Sequence, residues 1–237
     1  AKQVSEQLQS AERVPRPGLL GNVRLEPGAR SGLYEIERFH QEGAQAQIYQ
    51  GLGPRAKPVA IKLFNGDVPL QQVLDEQQLA GTEHHPSIVR VDSYSRWEDD
   101  RFYIAFDWIA GGSLRDKIVT GKRPSQDRFR KIATQLLEAL SALHSVSENG
   151  QSSPILHNDI KPENILLTDG DRPILIDFGS ASRSRIGLYE GTEGYVAPDL
   201  HRGEDRKYCE DGDLYALGVT LHEWLLGVGP GAEHTPQ

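Results

Sequence analysis

The sequence predicts an α+β fold in two parts, a strand-rich first part followed by a mainly helical second part. Between residues 33 and 109, short apolar and β-branched stretches alternate with turns, which is the pattern of antiparallel strands. After Gly111 and Gly112 the apolar residues recur at helical spacing, most clearly over Gln126–His144. A chain of 237 residues is long enough for two lobes that share a cleft.

Five strands and one main helix are expected in the first part. The helix is predicted at residues 69–80, and Gly81 is predicted to end it. Residues 1–32 lie ahead of this pattern and are interpreted as an N-terminal extension. The strands are predicted at residues 34–39, 47–50, 58–64, 88–94 and 102–108, where apolar residues alternate or cluster.

The second part, residues 110–237, is expected to be helical apart from two short strands. The helix at 126–144 is followed by polar residues at 145–154, which predict a surface loop. The remaining elements are two strands joined by a hairpin-like turn, at 165–167 and 174–176, and an apolar helix near 213–226.

Composition and charge argue against several classes of function. The net charge of -8 and the pI near 5.5 disfavour nucleic acid or anionic lipid as a partner, since phosphate binding needs clustered Lys and Arg. The longest apolar run is too short and too polar to span a membrane. Cys209 is the only cysteine, so no internal disulfide can form, and a cytoplasmic location is expected. The sequence has no methionine, even at position 1, which indicates a processed chain or part of a longer protein.

Three short runs bring together side chains suited to phosphate chemistry. They are Val59-Ala60-Ile61-Lys62, His157-Asn158-Asp159-Ile160-Lys161-Pro162-Glu163-Asn164 and Asp177-Phe178-Gly179. Carboxylate and amide oxygens suit a hard cation such as Mg²⁺, and a lysine binds phosphate as a point charge. In this order and spacing, from about Leu33 to Gly227, the runs resemble the eukaryotic-type serine/threonine protein kinase family.

The resemblance implies a role for each polar residue of the second and third runs. Asp159 corresponds to the catalytic base, which accepts the proton of the attacking hydroxyl. Lys161 corresponds to the residue that stabilises charge on the transferred phosphoryl group, and a lysine here resembles serine/threonine kinases more than tyrosine kinases. Asn164 and Asp177 correspond to the Mg²⁺ ligands.

The resemblance also implies an ATP site. Lys62 corresponds to the lysine that binds the α- and β-phosphates, and Glu76 on the following helix is its expected partner. Asp75 is the neighbouring, less well placed alternative. Of the three positions that carry glycine in the family's phosphate-binding loop only Gly43 is glycine, so a stiffer loop is expected; Gln41 and Ala46 occupy the other two.

The adenine end of the same site is expected at the connection between the lobes. Phe106 resembles the bulky residue behind the pocket, and the backbones of Asp107 and Ile109 resemble the groups that meet the adenine edge. Ile48 and Ala60 are the further ATP-binding candidates.

Asn158 departs from the family pattern, in which an arginine commonly precedes the catalytic aspartate. That arginine pairs with a phosphorylated residue of the activation segment, and a neutral amide cannot do so. We therefore predict that activity does not depend, through Asn158, on a phosphate in the segment from Asp177 to Asp199, and that this segment is ordered constitutively or by a partner. The candidate phosphorylation sites are Ser180, Ser182, Ser184, Tyr189 and Thr192.

Two further residues resemble structural positions of the family. Asp213 resembles the acid that holds the backbone of the catalytic loop, and Asp199 replaces the usual glutamate at the end of the activation segment. The family's last helices have no counterpart before Gln237. We expect the apolar helix near 213–226 to be covered by a partner, by N-terminal residues or by a larger parent protein.

These features predict an enzyme that transfers the γ-phosphate of ATP, with Mg²⁺, to Ser or Thr hydroxyls of a protein substrate. The alternative is a pseudokinase, a nucleotide-binding or scaffolding module, which the glycine-poor loop and the absent helices favour. A small-molecule kinase of related fold is a third hypothesis, and the run from Asp159 to Asn164 counts against it.

Overall fold

The computed structural model describes residues 23–82, 84–183, 191–198 and 209–230. Its first lobe contains a six-stranded antiparallel sheet with the strand order β1-β2-β3-β4-β6-β5. All five predicted strands are confirmed, and the two-residue strand β1 is an addition that the sequence did not indicate. The strands are β1 Arg30–Ser31, β2 Tyr34–Glu42, β3 Ala46–Leu52, β4 Pro58–Phe64, β5 Val91–Arg96 and β6 Phe102–Asp107.

The sheet buries side chains on both faces. Because side chains alternate along a strand, Val59, Ile61 and Leu63 of β4 share the outer face, where they form a small core with aromatic residues of β3 and β6. Ala60 and Lys62 lie on the inner face, towards the second lobe. This two-sided burial explains why β4 is apolar almost throughout.

The main helix of the first lobe, α1, spans Leu70–Thr82 and packs against β5 and β6. Its buried side includes Val73, Glu76 and Leu79. The prediction that Gly81 ends the helix was wrong. The Thr82 hydroxyl donates a 2.6 Å hydrogen bond to the Gln78 carbonyl, which satisfies one acceptor of the last turn and lets the helix continue past the glycine.

The second lobe contains three helices and two small hairpins among the described residues. Its helices are α2 Leu114–Val119, α3 Gln126–His144 and α4 Glu210–Leu226. The hairpins are β7 Ser147–Glu148 with β8 Gln151–Ser152, and β9 Ile165–Leu167 with β10 Pro173–Leu175. Ser113 and Ser125 cap the first two helices, and Gly227, with φ 68°, ends the third in the left-handed conformation.

The hairpin β7–β8 corrects the interpretation of residues 145–154 as a plain surface loop. Asn149 and Gly150 form its turn, with φ values of 51° and 77°. Both residues tolerate positive φ, and this dipeptide favours a tight hairpin turn.

One continuous hydrophobic core joins the two lobes. It runs from the inner face of the sheet through β9 and β10 to the buried sides of α3 and α4, where Leu140 and Trp224 are almost fully buried. The cleft between the lobes is therefore bounded by a packed wall. Within the described residues, the helices are all too short or too polar to cross a membrane.

Candidate active site

Three charged side chains from both lobes meet at the upper end of the cleft. Lys62 Nζ lies 2.6 Å from Glu76 Oε1 and 2.7 Å from Asp177 Oδ1. Lys62 therefore pairs with Glu76, as expected, rather than with Asp75. Glu76 lies on the buried side of α1, and its side chain is only 2% exposed. The contact with Lys62 also brings Asp177, which follows β10, beneath the sheet of the first lobe.

The electrostatics of this triad combine burial with mutual attraction. Burial alone would lower the pKa of Lys62, but the charges of Glu76 and Asp177 outweigh it and hold the pKa above its ordinary value. Burial raises the pKa of Glu76 despite the nearby ammonium group. The ammonium group of Lys62 outweighs the partial desolvation of Asp177 and lowers the pKa of its carboxyl. Lys62 and Asp177 are therefore charged at neutral pH.

Gly179 permits this convergence. A Cβ at this position would lie 3.3 Å from both Asp177 Oδ1 and Glu76 Oε2, and 3.5 Å from Lys62 Nζ. The two carboxylates would have to shift by a few tenths of an ångström to accept a side chain here, whereas the distance to Lys62 is an ordinary contact. The glycine after Phe178 therefore leaves room for the charged groups and does not adopt a positive φ.

The lower end of the cleft holds the residues expected to act on the hydroxyl substrate. Lys161 Nζ lies 2.7 Å from Asp159 Oδ2, and Asn164 Nδ2 donates to the same oxygen at 3.0 Å and to the Asp159 carbonyl at 2.8 Å. Pro162–Asn164 form a short 3-10 turn, which folds Asn164 back towards Asp159. The structure thus brings all three predicted residues together.

Thr192 completes this cluster and was missed as a site residue, because the sequence suggested only a candidate for phosphorylation. Its hydroxyl donates to Asp159 Oδ1 at 2.7 Å and accepts from Lys161 Nζ at 2.8 Å. Its backbone N–H donates to the same Asp159 oxygen at 3.2 Å. Both carboxylate oxygens of Asp159 are therefore held in place.

Thr192 is positioned by a buried polar network that the sequence reasoning also missed. The Tyr195 hydroxyl donates a 2.5 Å hydrogen bond to Glu223 of α4, and Arg115 of α2 pairs with the same carboxylate. Arg115 also donates to Glu163 at 2.7 Å. The network ties residues 191–198 to two helices and to the run His157–Asn164, called here the catalytic run.

Asp213 holds the backbone of the catalytic run, as the resemblance implies. Its carboxylate accepts from the backbone N–H groups of His157 and Asn158, both at 2.9 Å. His144 Nε2 lies 2.9 Å from the same side chain. His157 itself contacts the Ile176 carbonyl at 3.0 Å and stacks on Phe178, so it orients the site and lies behind it.

Asn158 makes a contact that the sequence did not predict. Its side-chain Nδ2 donates a 2.9 Å hydrogen bond to the Ser180 carbonyl, immediately after Gly179. Its backbone has φ 64°, a left-handed conformation that asparagine tolerates better than most residues. The amide therefore joins the catalytic run directly to the start of the activation segment. Ser184, Tyr189 and Asp199 lie outside the described residues.

The predicted adenine end lies where β4 and β6 pair. Ala60 pairs with Phe106, which is buried in the main core, and Ile109 is partly buried against the same core. The Asp107 carboxylate forms ion pairs with Lys57 and Arg90. This pairing fixes the backbone of the interlobe connection from behind.

The loop expected over the phosphates joins β2 to β3. Ile48 of β3 pairs with Lys62 in the sheet and is only partly buried. Gly43 donates its N–H to the Ala46 carbonyl at 2.8 Å, which closes a tight turn. Gly43 and Ile48 therefore lie on the same edge of the cleft as Lys62.

The polar atoms near Asn164 and Asp177 fit a Mg²⁺ ion. Asn164 uses Nδ2 on Asp159, which leaves its amide oxygen for a cation, and the Asp177 side chain is 44% exposed although Lys62 pairs with it. The Ile176 N–H donates to the Asn164 carbonyl at 3.0 Å, so the two candidate ligands are neighbours. Mg²⁺ commonly binds one or two such side chains together with substrate phosphates. In the described parts of the chain, no cluster of three or more His, Cys, Asp or Glu forms a metal site.

Comparison with known proteins places this geometry in a family. A family model described as "Protein kinase domain" matches residues 34–237. Over 216 residues the chain is 29% identical to serine/threonine-protein kinase PknH of Mycobacterium bovis, an alignment that covers 86% of the chain and 34% of that protein. Over 225 residues it is 31% identical to CBL-interacting serine/threonine-protein kinase 3 of Arabidopsis thaliana, covering 88% and 48%. Calcium-dependent protein kinase 5 of Plasmodium falciparum is 31% identical over 216 residues, covering 84% and 35%. The chain therefore spans less than half of the length of these relatives.

Proposed function

Because the chain belongs to the eukaryotic-type serine/threonine protein kinase family, we propose that it transfers the γ-phosphate of ATP to Ser or Thr hydroxyls of a protein substrate. One observation carries the proposal. The Lys62–Glu76–Asp177 contacts and the cluster of Asp159 with Lys161 are both formed in the same structure. A decayed site usually loses at least one such group.

The residues at the lower end of the cleft would act on the acceptor hydroxyl. Asp159 would accept its proton, and general-base assistance of this kind contributes about 10²–10⁴ in rate. Lys161, 2.7 Å away, would stabilise negative charge on the transferred phosphoryl group. Thr192 and Asn164 would keep the Asp159 carboxylate aimed at the hydroxyl.

The residues at the upper end would hold the nucleotide. Lys62, fixed by Glu76, would bind the α- and β-phosphates, and Gly43 would bring the loop backbone over them. Asn164 and Asp177 would hold Mg²⁺, which supplies charge neutralisation for the phosphates when bound. The adenine would lie against Ile48 and Ala60, and the backbones of Asp107 and Ile109 would meet its polar edge.

The decisive experiment is phosphate transfer from γ-labelled ATP with Mg²⁺ to dephosphorylated casein. Asp159→Asn is a near-isosteric control, and Asp159→Ala is a second. We expect label in casein with the wild-type chain, and a loss of at least about 100-fold with either variant. Equal labelling by wild type and Asp159→Asn would contradict the proposal. Thermal stabilisation by nucleotide without any transfer would favour the pseudokinase alternative.

We also propose that a partner or a further part of a larger protein covers α4. Leu214, Tyr215, Leu225 and Leu226 of this helix are each between 38% and 44% exposed. Burying apolar surface is worth about 25 cal/mol per Å², so a covering element would stabilise the second lobe. The cytoplasmic location expected from the single cysteine stays a prediction.

A further inference from the structure

The segment Val23–Gly32, called here the N-terminal segment, precedes the residues matched by the family model but packs on the sheet. It pairs with β2, since the Gly28 N–H donates to the Ile36 carbonyl and the Ile36 N–H to the Ala29 carbonyl, both at 2.8 Å. Leu25 and Ala29 cover the outer core of the sheet. This part of the predicted extension is therefore part of the folded lobe.

Arg24 connects this segment to the phosphate-binding loop. Its Nη2 lies 2.9 Å from Glu42 Oε2, and Glu42 is the last residue of β2, immediately before Gly43. The centre of its guanidinium lies 4.0 Å from the centroid of the Phe39 ring. Arg24 thus contacts two residues of β2, Phe39 and Glu42, that lie just before the loop. The hydrogen bond from Arg24 lowers the pKa of Glu42, so this carboxylate is charged at neutral pH.

Buried polar contacts fix the base of Arg24. Arg101, which is 4% exposed, donates to the Val23 carbonyl at 3.1 Å and to Gln47 Oε1 at 3.2 Å. The Leu25 N–H donates to the Tyr49 hydroxyl at 2.9 Å, and this hydroxyl donates to the same Gln47 oxygen at 2.7 Å. Because Arg101 and Tyr49 are buried, the backbone on both sides of Arg24 has a defined position.

Residues in and just before α1 hold the other side of the loop. Asn65 Nδ2 donates to the Ala44 carbonyl at 3.0 Å, and its backbone N–H donates to the Gln45 carbonyl at 2.8 Å. Gln72 of α1 donates to the Gln45 side chain at 2.7 Å. The loop is therefore held on two sides, and Arg24 with Glu42 provides the contact from the N-terminal segment.

We propose that Arg24 is a positioning residue that holds the phosphate-binding loop over the nucleotide through Glu42 and Phe39. The inference rests on the proposed function of the cleft. Arg24 acts through the loop and has no contact with the reacting atoms, so its loss should weaken nucleotide binding and leave the transfer step nearly unchanged.

Arg30→Ala is a matched control for Arg24→Ala. Arg30 pairs with Glu35 at 2.5 Å in the same region, and the exposures of the pair, 70% and 37%, resemble the 57% and 38% of Arg24 and Glu42. Both variants remove one exposed ion pair, but only Arg24 pairs with the residue that immediately precedes the loop. Arg24→Lys keeps the charge and loses the planar group over Phe39, so it should give an intermediate result.

Two measurements test the inference, the KM for ATP and kcat in the transfer assay, and the Kd of a fluorescent N-methylanthraniloyl-ATP measured without transfer. For Arg24→Ala we expect KM and Kd to rise about two- to fivefold, the size typical of one exposed ion pair, with kcat within about twofold of wild type. Arg30→Ala should leave all three values unchanged. Faster hydrogen exchange at residues 43–46 in Arg24→Ala alone would support loosening of the loop.

The outcomes separate this inference from the proposed function. If the wild-type chain transfers no phosphate but Arg24→Ala alone raises the Kd, the catalytic proposal fails and the inference holds. Unchanged KM and Kd in both Arg24→Ala and Arg24→Lys would overturn the inference, as would an equal rise in Arg30→Ala. A wild-type chain that binds no nucleotide would overturn both.

Discussion

Replacing Asn158 tests how the catalytic run is joined to the activation segment. Two features of Asn158 can be separated by substitution, the hydrogen bond from Nδ2 to the Ser180 carbonyl at 2.9 Å and the left-handed backbone at φ 64°. Asn158→Ala keeps the Cβ in the left-handed region and removes the hydrogen bond. Asn158→Gly removes the bond and also the Cβ, and glycine adopts this conformation freely.

The two variants should therefore differ in unfolding free energy by a predictable amount. Loss of one hydrogen bond costs about 0.5–1.5 kcal/mol, so Asn158→Ala should be less stable than wild type by about 1 kcal/mol. Asn158→Gly loses the same bond but is free of the left-handed strain, so it should be more stable than Asn158→Ala by about 1–2 kcal/mol. Urea denaturation of the three proteins measures both differences. Equal stability of Asn158→Ala and Asn158→Gly would refute the strain argument, and an Asn158→Ala variant as stable as wild type would refute the contribution of the hydrogen bond.

The same variants test control by phosphorylation. Because the Asn158 amide already holds the Ser180 carbonyl, we expect phosphatase treatment to leave the kcat of the wild-type chain unchanged. Asn158→Gly should lower kcat, since the segment that starts at Asp177 loses one of its supports. Strong activation of the wild type by a phosphate on this segment, abolished in Asn158→Ala, would contradict the prediction.

Two further predictions concern the ends of the cleft. Thr192→Val removes the hydroxyl between Asp159 and Lys161 and should lower kcat at least about tenfold with little change in the KM for ATP. Thr192→Ser keeps the hydroxyl and should stay within about threefold of wild type. A kcat of Thr192→Val equal to that of wild type would show that the hydroxyl is dispensable. Glu76→Gln should change the unfolding free energy by less than about 1 kcal/mol, because burial offsets much of the ion-pair attraction and Asp177 still pairs with Lys62. The same variant should raise the KM for ATP at least about tenfold, because Lys62 loses its fixed position. Steady-state kinetics and denaturation curves measure the two effects. A large loss of stability with an unchanged KM would show that the pair is mainly structural.

The sequence predicted well which side chains would lie together where they fall in short runs. Asp159, Lys161 and Asn164 fall within six residues, so a tight turn is sufficient to bring them together. Glu76 could be chosen over Asp75 because helical spacing places it on the apolar side of α1. In both cases, local geometry alone relates position in sequence to position in space.

The prediction was weaker where a side chain meets a distant part of the chain. Nothing in the local sequence of Tyr195 indicates its bond to Glu223, and the hydroxyl of Thr192 could be read equally as an exposed phosphorylation site. The turn at Asn149 and Gly150 is a different case, because the dipeptide favours a hairpin and this signal was available. Polarity alone was not sufficient evidence for a loop at these residues.

This difference has a consequence for how the kinase is controlled. Under the proposed function the motif residues would determine which atoms react, but their positions depend on bonds across long stretches of chain, such as those of Asp213 to the catalytic run and of Arg101 to Val23. A relative with identical motif runs could lack Asn158 or Arg24 and keep the same chemistry with different control. Regulation in this chain should therefore be sought in the contacts of Asn158 and Arg24, since each holds a loop that carries site residues but makes no contact with the reacting atoms.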